Sequence, residues 1–581
     1  MNNQTDKIVN LSHLILNKII SYIDDNIDII CFSLVCKRWY NDRDKYLVFN
    51  TDNINLFTPK NTDIIQYHKH FKLPSYYNIL LKSIQSKTNC ALYVGDYHFK
   101  NYDYFYDHVE MVISIPSNVS EIYITTNYSK DKLGKFYRLL SESQSVTKLN
   151  GCSTLKYGLP NSLQTLSFRN FNEPLVKGSL PNSLEVLDFD SNLRQEILPG
   201  VLPGRLLKLS LEYYQYEIQP GVLPDSLLSF TLDHHQHEIQ PNILPAGLLS
   251  FFLDDYQHEI LPYVLPSSLK LLSLKCYRDT LKEDLRYVYA TTGDDNVIMK
   301  SCLPLSWLQS ISSLSNLQSL DIYFSISNQE DTTMFNLNYL PPNLESLEIT
   351  INAPGIILCG TTPLSLKRIQ LNGCQFKIDE IFPETLQYHL EIFDYENDSI
   401  LPIPSNIKID TLFISGEPSE STITLPSGIS TIFFFSELSS SGEKMIDFGG
   451  DGVTDQTCPL KELRFPAFKD GYPKVKLPKT IEHLDIGDNN LNDILHLIPS
   501  TLNTLVFSKL SNIDITIIPS TIKSITNIIR KFGLFNKQTI RKLDDNYYLI
   551  TDDYEYEHSF KVVFRNAIDK YFISNMRNFN K

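Results

Sequence analysis

The 581-residue chain is short of positive charge, of clustered cysteines and of long apolar runs. Lys and Arg number 52 against 67 Asp and Glu, a formal net charge of −15. That deficit argues against general nucleic-acid binding, which needs a basic footprint, and leaves room for a partner with a basic face. The nine cysteines are scattered, with Cys31 and Cys36 the nearest pair and no Cys-x-x-Cys. Such usage predicts buried thiols in a reducing compartment. No apolar run approaches the ~18 residues of a membrane span. The polar opening "MNNQTDKIVN", followed by an amphipathic pattern, does not read as a signal peptide. The expectation is an intracellular protein, cytoplasmic or nuclear, with no membrane and no nucleic-acid partner. Neither a nucleophile–base motif nor a glycine-rich phosphate fingerprint is present, so no enzyme activity and no cofactor are expected.

What the chain has in abundance is internal repetition. "LPNSLQTLSF" starts at Leu159 and "LPNSLEVLDF" at Leu180. "LPGRLLKLSL", "LPDSLLSFTL", "LPAGLLSFFL" and "LPSSLKLLSL" start at Leu202, Leu223, Leu244 and Leu265, a step of 21 or 22 residues. Weaker copies run from Ile115 to "IPSTIKSITN" at Ile518. Within each copy the apolar residues follow L-x-x-L-x-L, as in Leu184, Leu187 and Phe189. The last three positions alternate, as a short strand with one buried face does. A lone strand cannot bury that face. Copies stacked ~4.8 Å apart can, because each strand pairs with the next and the leucines form a continuous column. Each large apolar side chain then contributes roughly 2 kcal/mol of gross burial. Prolines before each strand, and a second set at Pro199, Pro220, Pro241 and Pro262, exclude a regular α-helix on the return segment.

The densest cluster of metal-ligand residue types is "LDHHQHEIQPNILP", Leu232 to Pro245. It falls in register with "LEYYQYEIQPGVLP" one copy earlier, so His234, His235 and His237 occupy the positions of Tyr213, Tyr214 and Tyr216. Pro241 would break the helix that a His-Glu-x-x-His site needs. The register predicts planar side chains stacked from coil to coil and no resident metal. Adventitious binding by His235, His237 and His258 is the alternative.

The stretch "LPNSLQTLSFRNFNEPLVKGSLPNSLEVLDF" (Leu159 to Phe189) resembles the FNIP repeat, named for Phe-Asn-x-Pro. Phe171, Asn172 and Pro174 match, and Glu173 stands in the Ile place. The resemblance is strong over about 160 to 270 and weak over about 340 to 525. It implies a leucine-rich-repeat-like binding scaffold without catalytic residues, of a kind common in amoebae and in the large viruses that infect them. For a viral source the compartment would be the host cytoplasm.

The first fifty residues differ in texture. Leu16, Ile19, Ile20 and Ile23 recur at helical spacing, and Asp24, Asp25 and Asn26 make a break. Ile27, Ile30, Cys31, Leu34 and Val35 form a second stripe, predicting a helix that runs on to Trp39. "ILNKIISYI" (Ile15 to Ile23) and "SLVCKRWY" (Ser33 to Tyr40) resemble the two helices of an F-box; Ser12 replaces the usual Pro after Leu11. The resemblance implies docking on an Skp-type adaptor of a cullin–RING ubiquitin ligase. On it, Leu11, Leu16, Leu34, Val35, Cys36 and Trp39 are the candidates for the docking face and its support. The alternative is a helical cap over the open end of the stack.

The residue after the last buried apolar of each strand is, in successive copies, Arg169, Asp190, Glu212, Asp233, Asp254 and Lys275. A column of like charges at ~5 Å is unfavourable. It is therefore a candidate contact for the basic face of a protein substrate, the alternative being a solvated edge with screened charges. A second acidic column, Glu196, Glu217, Glu238 and Glu259, lies on the return segment.

The expected architecture is an α+β repeat protein. An N-terminal helical F-box (1–50) precedes residues 51–114, a linker or degenerate first coils. A leucine-rich-repeat-like β-solenoid (115–525) follows, with a parallel inner sheet and a non-helical, Pro-rich return side. Insertions fall near 277–300, read as a short helix and a turn, and near 436–457, read as a flexible loop around Asp447-Phe448-Gly449. Residues 526–581 form a C-terminal cap, with a strand pair in "YYLITDDYEYEHSFKVVF" and a helix in "RNAIDKYFISNMRNF". The expected function is substrate recognition for a cullin–RING ligase. The rival is an interaction scaffold, or a decoy that sequesters the adaptor.

Overall fold

The computed structural model describes residues 10–23, 26–50, 73–94, 104–106, 109, 112–124, 130–189, 193–277, 285–292, 297–325, 333–352, 356–372, 374–375, 381, 388–393, 407–414, 422–424, 429–434, 445–447, 460–465, 474–487, 496, 498–507, 521–531, 534–542, 547–553 and 558–564. The chain divides into two compact units, one of residues 1–166 with 534–581 and one of residues 167–533. No helix among the described residues is long and apolar enough to cross a membrane.

The first unit opens with three short helices, His13–Ile20, Asn26–Ser33 and Lys37–Asp42. Ser12 caps the first, its hydroxyl accepting from the Ile15 N–H. The second does not run to Trp39, as the apolar stripe predicts. It stops at Ser33, and Cys36 takes an extended backbone whose sulfur faces the Trp39 N–H and starts the third helix. Leu34 and Val35 therefore sit in the joint. Leu16, Ile20, Ile29, Ile30 and Trp39 are buried together with Tyr46, Tyr76, Ile79 and Leu80. The last three belong to the segment Pro74–Gln85, a 3₁₀ turn running into the helix Tyr77–Gln85. Polar ties fix this packing. The Ser33 and Tyr76 hydroxyls meet at 2.6 Å, the Tyr46 hydroxyl donates to the Trp39 carbonyl at 2.9 Å, and Asn26 and Asn50 exchange two bonds of 2.7 Å.

Strands follow in parallel pairing. Cys90–Val94 pairs with Tyr104–Tyr106 on one side and with Val119–Ile124 on the other, which in turn pairs with Lys148–Cys152. The parallel ladder thus already runs upstream of residue 115. In the same unit Leu534–Lys542, Tyr547–Asp553 and His558–Phe564 form antiparallel pairs. The strand pair expected in the tail is present, and its expected helix lies outside the described residues.

The second unit is a long parallel ladder. Val186–Phe189, Lys208–Glu212, Ser229–Asp233, Ser250–Asp254, Leu271–Tyr277, Ser319–Ser325, Ser346–Asn352 and Arg368–Asn372 pair in unbroken register. Three apolar columns run through it. Leu184, Leu206, Leu227, Leu248 and Leu269 form one, and Leu187, Leu209, Phe230, Phe251 and Leu272 the next. Phe189, Leu211, Leu232, Leu253 and Leu274 form the third; all fifteen side chains are at most 2% exposed. The ladder continues through Tyr388–Phe393, Ile407–Ile414, Thr431–Phe434, Glu462–Arg464, His483–Asp485 and Thr504–Phe507 to Ser524–Lys531.

Two turns per coil make this possible. The leading proline begins one: the Leu206, Leu227 and Leu248 N–H groups donate to the carbonyls of Pro203, Pro224 and Pro245. The other lies on the return side, where Val201, Val222, Ile243 and Val264 N–H donate to Leu198, Gln219, Gln240 and Leu261. Pro199, Pro220, Pro241 and Pro262 hold its second position. Its third has positive φ, in Gly200 (77°), Gly221 (81°), Asn242 (68°) and Tyr263 (69°). That is the signature of a type II turn.

The return side departs from expectation in two places. The insertion near 277–300 is a hairpin, Tyr287–Thr292 against Val297–Pro304. The helix comes after it, at Leu305–Ser312, so the return side is not helix-free. Once past Pro304 the stretch "LSWLQSIS" has no proline, and it buries Trp307, Leu308 and Ile311 on one face. Val297–Pro304 also joins Thr333–Asn336, Ile356–Cys359 and Cys374–Gln375 in a second, mostly parallel sheet. Within 436–457, Met445–Asp447 is a strand between Thr422–Thr424 and Lys474–Lys476, where a flexible loop was expected. Phe448 and Gly449 lie outside the described residues.

Candidate functional site

Two surfaces carry the candidate residues. In the N-terminal helices the six expected docking residues separate by depth. Leu16 and Trp39 are buried, Leu11 and Cys36 are half-buried, and Leu34 (45%) and Val35 (64%) are exposed. Phe32 stacks on Trp39 at 4.7 Å and supports the joint from inside. Arg38 donates to the Leu11 carbonyl at 3.2 Å, which ties the start of the first helix to the third. Leu14, Ile15 and Tyr22 are also exposed. They lie off the periodic stripe, so sequence periodicity passes over them. Their signal is that a large apolar residue off the stripe of a short helix has nowhere to go but solvent or a partner. Asp42 accepts from Lys45 and faces His13, contacts that hold its carboxyl below the usual range.

On the strand side of the second unit, Glu212, Asp233, Asp254 and Lys275 are brought into one column by register. Arg169 is exposed at the end of its strand, and Asp190 lies outside the described residues. The column is partly neutralised by its own chain. Lys275 Nζ donates to Asp254 Oδ2 at 2.8 Å, and the Asp254 carboxylate beside it raises the Lys275 pKa. His234 Nδ1 contacts the Asp233 carboxylate, and His234 Nε2 lies 3.5 Å from Asp255 Oδ2. Burial, with Asp254 next door, pushes the Asp233 carboxyl up against the pull of His234. By contrast, Glu196, Glu217, Glu238 and Glu259 on the return segment have no ion pair among the described residues.

The three clustered histidines have three different surroundings. His234 stacks on Tyr213 at 4.4 Å, both with positive φ. His235 is buried, lies parallel to Tyr214 and donates from Nδ1 to the Tyr214 carbonyl at 2.9 Å. Burial drops its pKa to about 4. His237 donates from Nε2 to the Gln215 carbonyl at 2.8 Å, as His258 does to Gln236 at 2.7 Å and the Tyr216 hydroxyl to Arg194 at 3.1 Å. Tyr and His exchange at this position because both offer a flat ring with a donor at its tip. Among the described residues no group of three or more His, Cys, Asp or Glu is placed to hold a metal. Phe171, of the Phe-Asn-Glu-Pro stretch, fills the same return-side position as Tyr214 and His235, and packs on Phe168 at 4.2 Å.

Comparison with known proteins agrees with the repeat. The FNIP Repeat family model matches residues 153–192 and 193–234. The solved structure titled "The crystal structure of CroV588 a novel circular LRR protein structure" matches at 18% identity over 75% of this chain and 70% of that chain, with a TM-score of 0.40. None of the curated proteins matches. FNIP repeat matches falling on an in-register parallel ladder make this a repeat protein built of stacked coils.

Proposed function

We propose that the chain is the target-recognition subunit of a cullin–RING ubiquitin ligase of the F-box type. In this reading residues 10–42 hold an Skp-type adaptor, and the strand face of the repeats holds the protein to be modified. The supporting observation is the way the N-terminal helices divide their apolar side chains. Leu16, Ile20, Ile29, Ile30 and Trp39 form a core with the helix Tyr77–Gln85, while Leu14, Ile15, Leu34 and Val35 are left on the outside. Helices of six to eight residues are marginal on their own, and one further partner on the open side completes their burial. The chain itself would catalyse nothing. It would raise the effective concentration of target beside the ligase.

The test is calorimetric titration of the purified chain with a purified Skp-type adaptor. The wild-type chain is expected to bind, and Leu34→Glu with Val35→Glu to lose binding at unchanged melting temperature. Retention of full affinity by the double variant contradicts the reading. Co-elution of cullin with the adaptor complex separates a ligase subunit from a decoy that merely sequesters the adaptor.

A further inference from the structure

On the strand side of the coils from Leu207 to Lys275 the outward side chains are sorted by chemistry. Leu207, Leu228 and Leu249 stack in one column, each N–H reaching the coil before: Leu228 to Leu207 and Leu249 to Leu228, both at 2.9 Å. Leu228 is 39% exposed, and the other two are half-buried. The next outward columns are Lys208, Ser229, Ser250, Leu271 and then Ser210, Thr231, Phe252, Ser273. Small hydroxyl residues thus floor the middle of the face, and Phe252 and Leu271, both half-buried, close one end of it. The far column is Glu212, Asp233, Asp254 and Lys275. From leucine column to acid column is five residues of strand, about 17 Å.

The acid edge already takes one cation from its own chain, the Lys275 ammonium on Asp254 Oδ2. Asp254 Oδ1 is buried and has no hydrogen-bond partner among the described residues. The apolar column in turn exposes leucine where the neighbouring copies carry Glu185, Lys270 and Gln318 in the same register.

We propose that this face binds an extended segment of a partner protein laid along the strands. Its apolar side chains would cover Leu207, Leu228, Leu249 and Phe252, and lysine or arginine about five residues further on would meet Asp233 and Asp254. The inference rests on the strand face being the target-binding surface of the proposed receptor, and it names the chemistry of what that surface holds.

The experiment is fluorescence anisotropy of the full chain, without adaptor. The probe is a fluorescein-labelled peptide of three leucines, a Ser-Gly-Ser spacer and three arginines. Binding is expected, to weaken at least tenfold with Asp233→Asn plus Asp254→Asn and at least fivefold with Leu228→Ser. It should stay unchanged with Glu217→Gln plus Glu238→Gln on the return segment. A peptide carrying glutamate for arginine, or serine for leucine, is expected to fail. Absence of binding overturns the proposal, and so does an equal loss in the return-segment variant or indifference to the strand-face variants. Because the adaptor is titrated separately, loss of peptide recognition leaves the adaptor result standing, and the two readings fail independently.

Discussion

The coils and the N-terminal helices treat the same residue types in opposite ways. In the coils each large apolar residue at a periodic position is sealed: Leu209, Phe230 and Phe251 are at most 2% exposed, and so are their counterparts along the ladder. In the helices Leu16 is 1% exposed and Leu14, two residues before it, is 84% exposed. A coil finds its partner in the next copy of itself, so its three inward columns are sealed by folding, and the apolar residue it leaves outside is a side column such as Leu228. The three helices have no next copy. They close one side on Tyr76, Ile79 and Leu80 and leave the other open. The apolar surface left on the helices is the part that the proposed adaptor would cover.

The largest test of that contrast is truncation in each region. Leu232→Ala, in the third buried column, is expected to cost about 3 kcal/mol of unfolding free energy. Leu34→Ala, exposed in the helix joint, is expected to cost below about 0.5 kcal/mol. Denaturant titration of both variants measures the difference, and similar losses break the comparison.

A second test sharpens the difference inside a coil. His235 is held neutral by burial, with its pKa lowered to about 4 from an unfolded value near 6.5. The unfolded chain therefore takes up a proton first as pH falls. Stability is full above about pH 6.5, declines between about 6.5 and 4, and stops declining on this account below 4. The loss is up to about 3 kcal/mol. Asp233, raised by burial, acts with the opposite sign at the acid end. His235→Tyr removes the titrating group, so its unfolding free energy should fall less between pH 7 and pH 4.5 than that of the wild-type chain. At pH 7 the same substitution exchanges the Nδ1–H bond to the Tyr214 carbonyl for a hydroxyl at the Ile218 N–H, so it is expected to change stability by less than about 1 kcal/mol. The Tyr214 and Tyr256 hydroxyls accept from the Ile197 and Ile239 N–H at 2.9 Å, and a tyrosine at 235 brings a hydroxyl to Ile218 in the same way.

The smallest effect concerns the return turns. Tyr263 is 89% exposed with φ of 69°, where the two preceding coils carry Asn242 and Gly221. Tyr263→Gly relieves the left-handed backbone and is expected to raise stability by about 0.5–1 kcal/mol, read as a rise in melting temperature. No gain would mean that the ring packs on more than its exposure indicates.

The repeat was legible in the sequence because one residue pattern recurs at a fixed step. Leu184, Leu206 and Leu227 announce their burial by position alone, and His235 is explained by the Tyr214 above it. The small three-stranded sheet around Met445–Asp447 was not legible. Met445–Asp447 is three residues among serine and glycine, and only its neighbours Thr422–Thr424 and Lys474–Lys476, some twenty and thirty residues away, make it a strand. The break at Leu34 was missed because apolar spacing continues across it, while Cys36 starts a new helix through a sulfur contact that no propensity weighs. Of the docking candidates that the F-box resemblance implied, Leu16 and Trp39 also belong to the apolar stripes and are buried. Periodicity passes over exposed Leu14 and Ile15, since a stripe marks what faces the core. The leucine column on the strand face was hidden for a related reason: Leu207, Leu228 and Leu249 follow a buried leucine in each copy and read as part of the same run.

Hydrogen exchange of the full chain with and without a purified Skp-type adaptor tests the contrast between the two regions most directly. Protection is expected in residues 13–42 and not in the strands from Lys208 to Tyr277. Protection confined to those strands, or none in residues 13–42, would contradict the account.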